Sequence, residues 1–479
     1  MMNPDAIARQ WRSMFSYSPT PGQEKLITMF SRYVSGDISR SLFMLKGYAG
    51  TGKTSIVSAL VDILPRISLQ PLLLAPTGRA AKVMTGYSNK TAYTIHKKIY
   101  RLLRDGENGT VLQPGYNHHQ DTVFIVDEAS MIPGQSSSGS NSLFGSHNLL
   151  EDLVRYVYSG KNCSLLLIGD MAQLPPVGSV LSPALDKDLL RSKFNLTILE
   201  HELTEVVRQE KGSAILDNAT RIRQSILKQK INLPVFRIPP GSDLRSITGE
   251  ALEEELNNCY SLFGHEHTIL ICRSNKRANI FNQAIRNRML FRENEIDAGD
   301  IMMVVRNNYY WLGDDDSQGF IANGDMIEIL NVIRTEAFDD FRFADISFRW
   351  VDYPGKPTLD AKILLNSIGS EHASMPSEEQ RKLGFFALEG APGTSRKKKM
   401  DTLRNDPYYN ALQVKFAYAL TCHKSQGGQW NAVFVDQGYI TRDRIDAEYF
   451  RWLYTALTRA KQRLYLVNFH AMFFEKVTR

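Results

Sequence analysis

Short apolar runs alternate with helix-spaced hydrophobic residues along this chain. Leu42, Phe43, Met44 and Leu45 form one run, and Ile56, Val57, Leu60, Val61 and Leu64 then recur at helical spacing. Pro71–Ala75, Val123–Val126 and Ser164–Ile168 repeat the apolar run, each ending in a turn. Uninterrupted apolar runs of this length read as strands buried on both faces, and their alternation with helices predicts an α/β fold with parallel sheets. A second unit follows. Thr268–Cys272 reads as a strand, and Ser274 caps a helix running through Ile280, Phe281, Ala284 and Ile285. Val414–Leu420 resumes the pattern, Ala432–Asp436 and Leu464–Val467 are further strands, and Arg451–Ala460 is a helix.

Three stretches break this rhythm. Residues 102–121 carry Asn108-Gly109, a strong hairpin-turn signal, so a small protruding hairpin is expected whose use the local residues do not decide. Gly134–Ser142 is low-complexity and reads as a mobile loop. From 297 to 406, the runs Ile301–Val305, Met326–Val332 and Phe341–Phe348 are joined by turn-formers such as Asn323-Gly324-Asp325, which predicts a small all-β insertion. Within it, the run Arg396-Lys397-Lys398-Lys399 reads as an exposed loop.

The chemistry sits at the ends of the predicted strands. Gly47-Tyr48-Ala49-Gly50-Thr51-Gly52-Lys53-Thr54 fits G-x-x-x-x-G-K-S/T between a strand and a helix, the context of a phosphate-binding loop. Gly47, Gly50 and Gly52 let the backbone curl so that the N–H groups through Thr51 point inward, where the helix N-terminus adds positive potential. Lys53 is placed to reach the β- and γ-phosphates of ATP, and the Thr54 hydroxyl to ligate Mg²⁺. The run Thr122–Val126 delivers Asp127 and Glu128 to a strand end, Asp127 for the Mg²⁺ shell and Glu128 to deprotonate the attacking water. After the next strand, Gln173 is placed beside the phosphates as a sensor, and Pro175-Pro176 stiffen the path away from it. Upstream, Thr20 caps a helix, and Gln23 is expected to present its amide to an adenine edge. Two α/β halves with one phosphate loop put ATP in the cleft between them, where Arg459 would reach across as an arginine finger. Arg79, Lys82, His96, Lys97, Lys98 and Arg101, interleaved with hydroxyls, suit phosphate-backbone contact.

Composition narrows the class. At 479 residues the chain has room for about three domains. Charged residues make up 23% and hydrophobic ones 43%, ordinary for a soluble globular protein. No apolar run approaches the ~18 residues of a membrane span, and the first residues lack a secretory leader. Cys163, Cys259, Cys272 and Cys422 are scattered, which suggests neither zinc nor disulfides and fits a reducing cytoplasm. A net charge of +6 permits a polyanion partner without demonstrating one.

In this order the segments resemble the motifs of a superfamily 1B DNA helicase of the RecD/Dda/Pif-like type. KGYAGTGKT, LLAPTGRAAKVM, TAYTIHKKI, FIVDEASM, LIGDMAQLPPVG, LTEVVRQ, FAYALTCHKSQGGQW and YTALTRAKQRL carry the likeness, which spans residues 23 to 467. The resemblance implies two RecA-like parallel-sheet domains, the first over 1–204 with a pin insertion at 98–121, and the second over 205–296 and 407–479. It further implies an SH3-like all-β insertion over 297–406. It makes Gln173, Arg208 and Arg459 γ-phosphate ligands, Gln23 the adenine reader, and Gly427 a nucleotide neighbour. It places Pro76, Thr77, His96, Thr421 and His423 on the DNA strand, and makes the hairpin around Asn108 and Gly109 the pin that splits the duplex.

The function expected is ATP-dependent, 5′ to 3′ translocation on single-stranded DNA with unwinding of forked duplex. The expected enzyme is free-standing and monomeric, with single-strand-binding, repair, recombination or replication proteins as partners. A translocase that strips proteins without processive unwinding, a nucleotide-gated DNA-binding module, and RNA as the track are the alternatives.

Overall fold

The computed structural model describes residues 3–36, 40–105, 109–134, 148–207, 212–312, 320–353, 355–389 and 396–475. Asn108, Arg208 and most of the serine-rich stretch, 135–147, lie outside these described residues.

Eight strands come from the first half: β1 Ser41–Gly47, β2 Gln70–Ala75, β3 Ala92–Thr94, β4 Tyr100–Asp105, β5 Gly109–Pro114, β6 Gln120–Val126, β7 Lys161–Gly169 and β8 Thr197–Leu203. Six of them form one parallel sheet in the order β3-β2-β6-β7-β1-β8. Leu42 to Leu45 of β1 and Val123 to Val126 of β6 are all buried, as strands with helices on both faces require. The order has a direct consequence for chemistry. β6, β7 and β1 are neighbours, so the residues leaving their C-terminal ends converge at the edge where open α/β sheets bind ligands. β4 and β5 form the hairpin, paired from Tyr100↔Pro114 to Asp105↔Gly109.

The second half supplies β9 Leu244–Ile247, β10 Thr268–Cys272, β11 Ile301–Val304, β12 Met326–Phe338, β13 Phe341–Trp350, β14 Leu359–Leu364, β15 Leu412–Phe416, β16 Ala419–Thr421, β17 Trp430–Asp436 and β18 Ala460–Val467. A second parallel sheet runs β16-β10-β17-β18-β9. β11 to β15 close into a barrel. Its core includes Phe343, Ile346, Phe348 and Ile363, all fully buried.

The single strand expected over Val414–Leu420 is two. β15 ends at Phe416 and closes the barrel, beyond the 406 boundary read from sequence, whereas β16 starts at Ala419 and pairs with β10. The join is pinned at Tyr418, whose hydroxyl donates to Asp300 Oδ1 at 3.1 Å and accepts from the Ile301 N–H at 3.2 Å. Between β14 and β15 the chain also forms the helices Ser377–Leu388 and Arg396–Asn405, so this region is not wholly β. Lys398 and Lys399 are exposed on the second of these, a helix where a loop was expected.

The capping signals are used as read. Thr20 and Gln23 form a reciprocal capping box on the Pro21–Ser35 helix, and Ser274 Oγ accepts from Arg277 N–H. No described helix is long and apolar enough to cross a membrane.

Candidate active site

β1 delivers the glycine loop. Gly50 and Gly52 take φ of +77° and +83°, and the Lys53–Ile63 helix begins straight after. Gly52 has a second constraint, since a Cβ there would lie 2.5 Å from Gln23 Nε2. Lys53 Nζ donates to the carbonyls of Gly47 at 2.7 Å and Tyr48 at 2.8 Å, which holds the ammonium over the mouth of the loop. Thr51 Oγ1 donates to Tyr48 O, and Thr54 is exposed on the first helical turn. Gly47 tolerates little more than hydrogen, with Thr51 Oγ1 and Lys53 Cγ just 3.0 and 3.1 Å from a Cβ built there.

Gln23 departs from the expected adenine reader. Its side chain is 0% exposed, its Oε1 accepts from the Thr20 N–H, and its Nε2 donates to Thr51 O at 3.2 Å. The amide ties the N-terminal helix to the glycine loop, so both of its ends are already engaged within the fold.

β6 ends in the two carboxylates. Asp127 Oδ2 accepts from the Tyr87 hydroxyl at 2.8 Å, and Oδ1 accepts from the Glu128 N–H at 2.8 Å. Glu128 takes a left-handed φ of +52°, uncommon for a residue with a Cβ and a mark of sites where side-chain direction matters. Burial raises the Glu128 pKa above the usual carboxylate value, against the pull of Arg459 and with Asp127 adding to the rise.

Arg459, 3% exposed, belongs to the other sheet. Its Nη1 lies 3.8 Å from Glu128 Oε1. Donation from Nε to Thr455 O, from Nη1 to Gly428 O and from Nη2 to Thr458 Oγ1 fixes the guanidinium in that direction. Gln173, after β7, is buried, and its Oε1 has no hydrogen-bond partner among the described residues. Val207, one residue before Arg208, donates its N–H to Gly50 O at 2.8 Å, so the segment leading to Arg208 is anchored on the glycine loop.

Residues 32–233 match the AAA domain family and residues 416–467 the UvrD-like helicase C-terminal domain family. The chain is similar to the ATP-dependent RecD2 DNA helicase of Deinococcus radiodurans, at 34% identity over 37% of this chain and 21% of that one. It is also similar to the ATP-dependent DNA helicase dda of Enterobacteria phage T4, at 26% identity over 61% of this chain and 64% of that one. A crystal structure of Pif1 helicase from Bacteroides in complex with ADP-AlF3 and ssDNA overlays with a TM-score of 0.48 at 13% identity, covering 96% of this chain and 95% of that one. The family matches and the curated relatives together support a superfamily 1B helicase. It spans less than two thirds of the length of either curated relative.

Further residues of this chain face the cleft, and none of them was among the expected site residues. The Ala447–Leu457 helix sends Arg451 to the carbonyls of Met171 and Gln173, and its Thr455 Oγ1 accepts from Leu174 N–H at 2.9 Å. Tyr454, between them, reaches Asp170 and the glycine loop. Their signal was the spacing: 451, 454, 455 and 458 share one helix face, and Arg459 follows where the helix ends.

The residues expected on DNA lie along a second seam. Thr77 caps the Gly78–Ser88 helix through Ala80 N–H, and the His96 ring sits 5.6 Å from that of Tyr100. Pro76 lies between β2 and Thr77. From the second sheet, Thr421 ends β16, and His423 follows in the short Cys422–Ser425 helix, its pKa lowered by burial. Gly427 meets this seam. A Cβ on it would lie 2.6 Å from Ala80 Cβ and 3.3 Å from Thr77 Oγ1, which places it against the expected DNA face where a nucleotide neighbour was expected.

Three of the cations read as phosphate contacts are engaged by the barrel. Arg79 and Lys82 lie 3.7 and 3.3 Å from Asp352, and Lys97 lies 3.4 Å from Asp325. Of the hairpin pair, Gly109 opens β5.

Lys424 beside this seam gives a pH prediction. Its Nζ is buried with no hydrogen-bond partner among the described residues, and burial, with Lys415 nearby, pushes its pKa down to about 7. The unfolded chain keeps that proton to about 10.4. Between these values unfolding takes up a proton, so this residue's contribution to stability rises with pH. Wild type should therefore gain in melting temperature on Lys424→Met between about pH 6.5 and pH 9. A pH-independent difference would show that the amine is solvated.

Proposed function

We propose that this helicase is an ATP-driven motor that moves 5′ to 3′ on single-stranded DNA and separates forked duplex. Its catalytic cleft lies between a first lobe over 1–204 and a second over 205–296 and 407–479. The pin is the hairpin within 98–121, and the SH3-like insertion, 297–406, takes its last strand from Leu412–Phe416. The observation that carries the reading is the 3.8 Å approach of Arg459, from one parallel sheet, to Glu128, from the other. An arginine facing the carboxylate that follows a phosphate loop has a ready use in phosphoryl transfer.

The donor set fits a magnesium nucleotide. Thr54 offers a hydroxyl and Asp127 a carboxylate, and no cluster of three or more metal-ligating side chains occurs among the described residues. Mg²⁺ bound mainly through substrate phosphates and water asks for no more than this. When bound, it would neutralise phosphate charge. Lys53 and the loop N–H groups grip the β- and γ-phosphates. Glu128 takes the proton of the attacking water. Arg459, Gln173 and Arg208 stabilise charge developing on the transferred group.

Closure of the cleft around ATP, and opening after hydrolysis, would alternate the grip of the two lobes on the strand. Pro76, Thr77 and His96 supply one grip, Thr421 and His423 the other. Net movement requires that each lobe bind the strand differently in the two states. A monomer suffices for this cycle, and a cytoplasmic setting suits the four free cysteines.

Duplexes carrying a 5′ or a 3′ single-stranded tail test motor, substrate and polarity together. ATP-dependent separation of the 5′-tailed duplex alone is expected. Separation of the 3′-tailed form would reverse the polarity. Single-strand-stimulated hydrolysis with neither duplex opened would leave a translocase that displaces proteins, and binding without stimulated hydrolysis a nucleotide-gated module.

A further inference from the structure

Tyr454 makes a contact that the catalytic assignment above does not use. Its hydroxyl accepts from the N–H of Ala49, the third residue of the glycine loop, at 2.9 Å, and donates to Asp170 Oδ2 at 2.7 Å. Asp170 is 1% exposed, and its Oδ1 accepts from the Ala172 N–H at 2.9 Å, so the carboxylate is fixed on both oxygens. The phenol is buried and its pKa lies well above the ordinary value, first through burial and then through Asp170. It therefore keeps its proton and can serve as donor to one lobe element and acceptor from another.

The helix carrying Tyr454 has two further ties, and a third comes from Gln426, next to the Cys422–Ser425 helix. Arg451 reaches the carbonyls of Met171 and Gln173, Thr455 accepts from the Leu174 N–H, and Gln426 Nε2 of the same lobe donates to Leu174 O at 2.8 Å. All of these hold the segment after β7. The Tyr454 hydroxyl alone among these four side chains reaches the glycine loop. Arg459 lies beyond the C-terminal end of the same helix and reaches Glu128. One rigid element thus carries a contact to the phosphate cradle and a contact to the proposed base.

Resting on the ATPase reading, we infer that Tyr454 is a positioning residue that couples occupancy of the glycine loop by a nucleoside triphosphate to the placement of Arg459. In the arrangement seen, the hydroxyl holds the Ala49 N–H. A phosphate oxygen that claims this N–H leaves the hydroxyl bound to Asp170 only, and the helix is released from the loop by one hydrogen bond. The second lobe then differs in its attachment between the two nucleotide states, which is the differential contact that coupling requires.

The test measures single-stranded DNA affinity of the full chain with and without a non-hydrolysable ATP analogue, together with the steady-state ATPase. Tyr454→Phe removes the hydroxyl and keeps the ring. The expected result is a kcat about ten-fold lower, as for one lost hydrogen bond, with KM for ATP and DNA affinity in the absence of nucleotide within about two-fold. The ratio of DNA affinities with and without analogue should collapse toward one. Asp170→Asn should reproduce the effect, and the double variant should be no worse than either single one. A ratio unchanged from wild type overturns the inference. So does a uniform loss of ATP and DNA affinity with a lowered melting temperature, which marks a merely structural contact. If wild type itself shows no DNA-stimulated hydrolysis, the functional reading fails before this one.

Discussion

Glu128→Gln should lower ATP turnover by about 10²–10⁴-fold, the contribution of a positioned general base. The substitution keeps size and hydrogen-bonding shape, so the left-handed backbone at 128 and the contact with Arg459 have no steric reason to change. What it removes is basicity. The raised pKa of the partly buried carboxylate makes it a stronger proton acceptor than an exposed glutamate while leaving it a carboxylate that can ionise. ATP binding should persist, since Lys53 and the loop N–H groups are untouched, and DNA binding should persist because the Thr77 and Thr421 faces are remote in sequence and chemistry from the base. Lys53→Ala should likewise abolish turnover while sparing DNA, but it should also weaken ATP binding, because the ammonium held by Gly47 O and Tyr48 O is the cation nearest the cradle on its own loop. Steady-state hydrolysis at saturating single-stranded DNA, with DNA affinity measured by anisotropy, separates the two variants. Robust hydrolysis by either would refute the assignment of the site.

The parts of this site that could be read from sequence are those in which one local pattern fixes both structure and chemistry. The loop GYAGTGKT declares itself because a strand, three glycines and a helix start are all contiguous, and Asp127-Glu128 because a buried strand precedes them. Gln23 shows what such reading leaves out. Its position upstream of the loop was visible, but a glutamine three residues after a threonine N-cap is also the second half of a capping box, and the helix takes the amide. Gly427 carries a constraint of a different kind. Its need for a small side chain comes from Ala80, a residue far away in sequence. The same holds for Tyr454 and Asp170, whose partners lie in other motifs, and for Asp325 and Asp352, which meet Lys97, Arg79 and Lys82 only because the barrel folds against the first sheet. The strand read across Val414–Leu420 is apolar apart from Lys415. Nothing in that run signals that Tyr418 divides it between a barrel and a sheet.

Arg459→Ala should reduce DNA-stimulated kcat by at least about 10³-fold, the lower end for removal of an arginine finger. The residue is buried and donates to Thr455 O, Gly428 O and Thr458 Oγ1, so its loss also removes three hydrogen bonds, although Thr455 O keeps the Thr458 hydroxyl as a donor, and opens space at the end of the helix. A fall in kcat alone would therefore be ambiguous between chemistry and folding. Arg459→Lys resolves it. Lysine keeps the charge but presents one ammonium in place of a planar fork, and cannot satisfy the three protein acceptors while also facing the nucleotide. If the guanidinium acts on the transferred phosphate, Arg459→Lys should retain the wild-type melting temperature within a few degrees and ADP affinity within about two-fold, yet lose most of the turnover, because uniform binding survives and only the stabilisation confined to the transition state goes. If the guanidinium serves only to brace the helix end, kcat in each variant should track its melting temperature. Near-normal turnover in a folded Arg459→Lys or Arg459→Ala chain would mean that the 3.8 Å approach to Glu128 is incidental, and the two-lobed motor would lose the observation on which it stands.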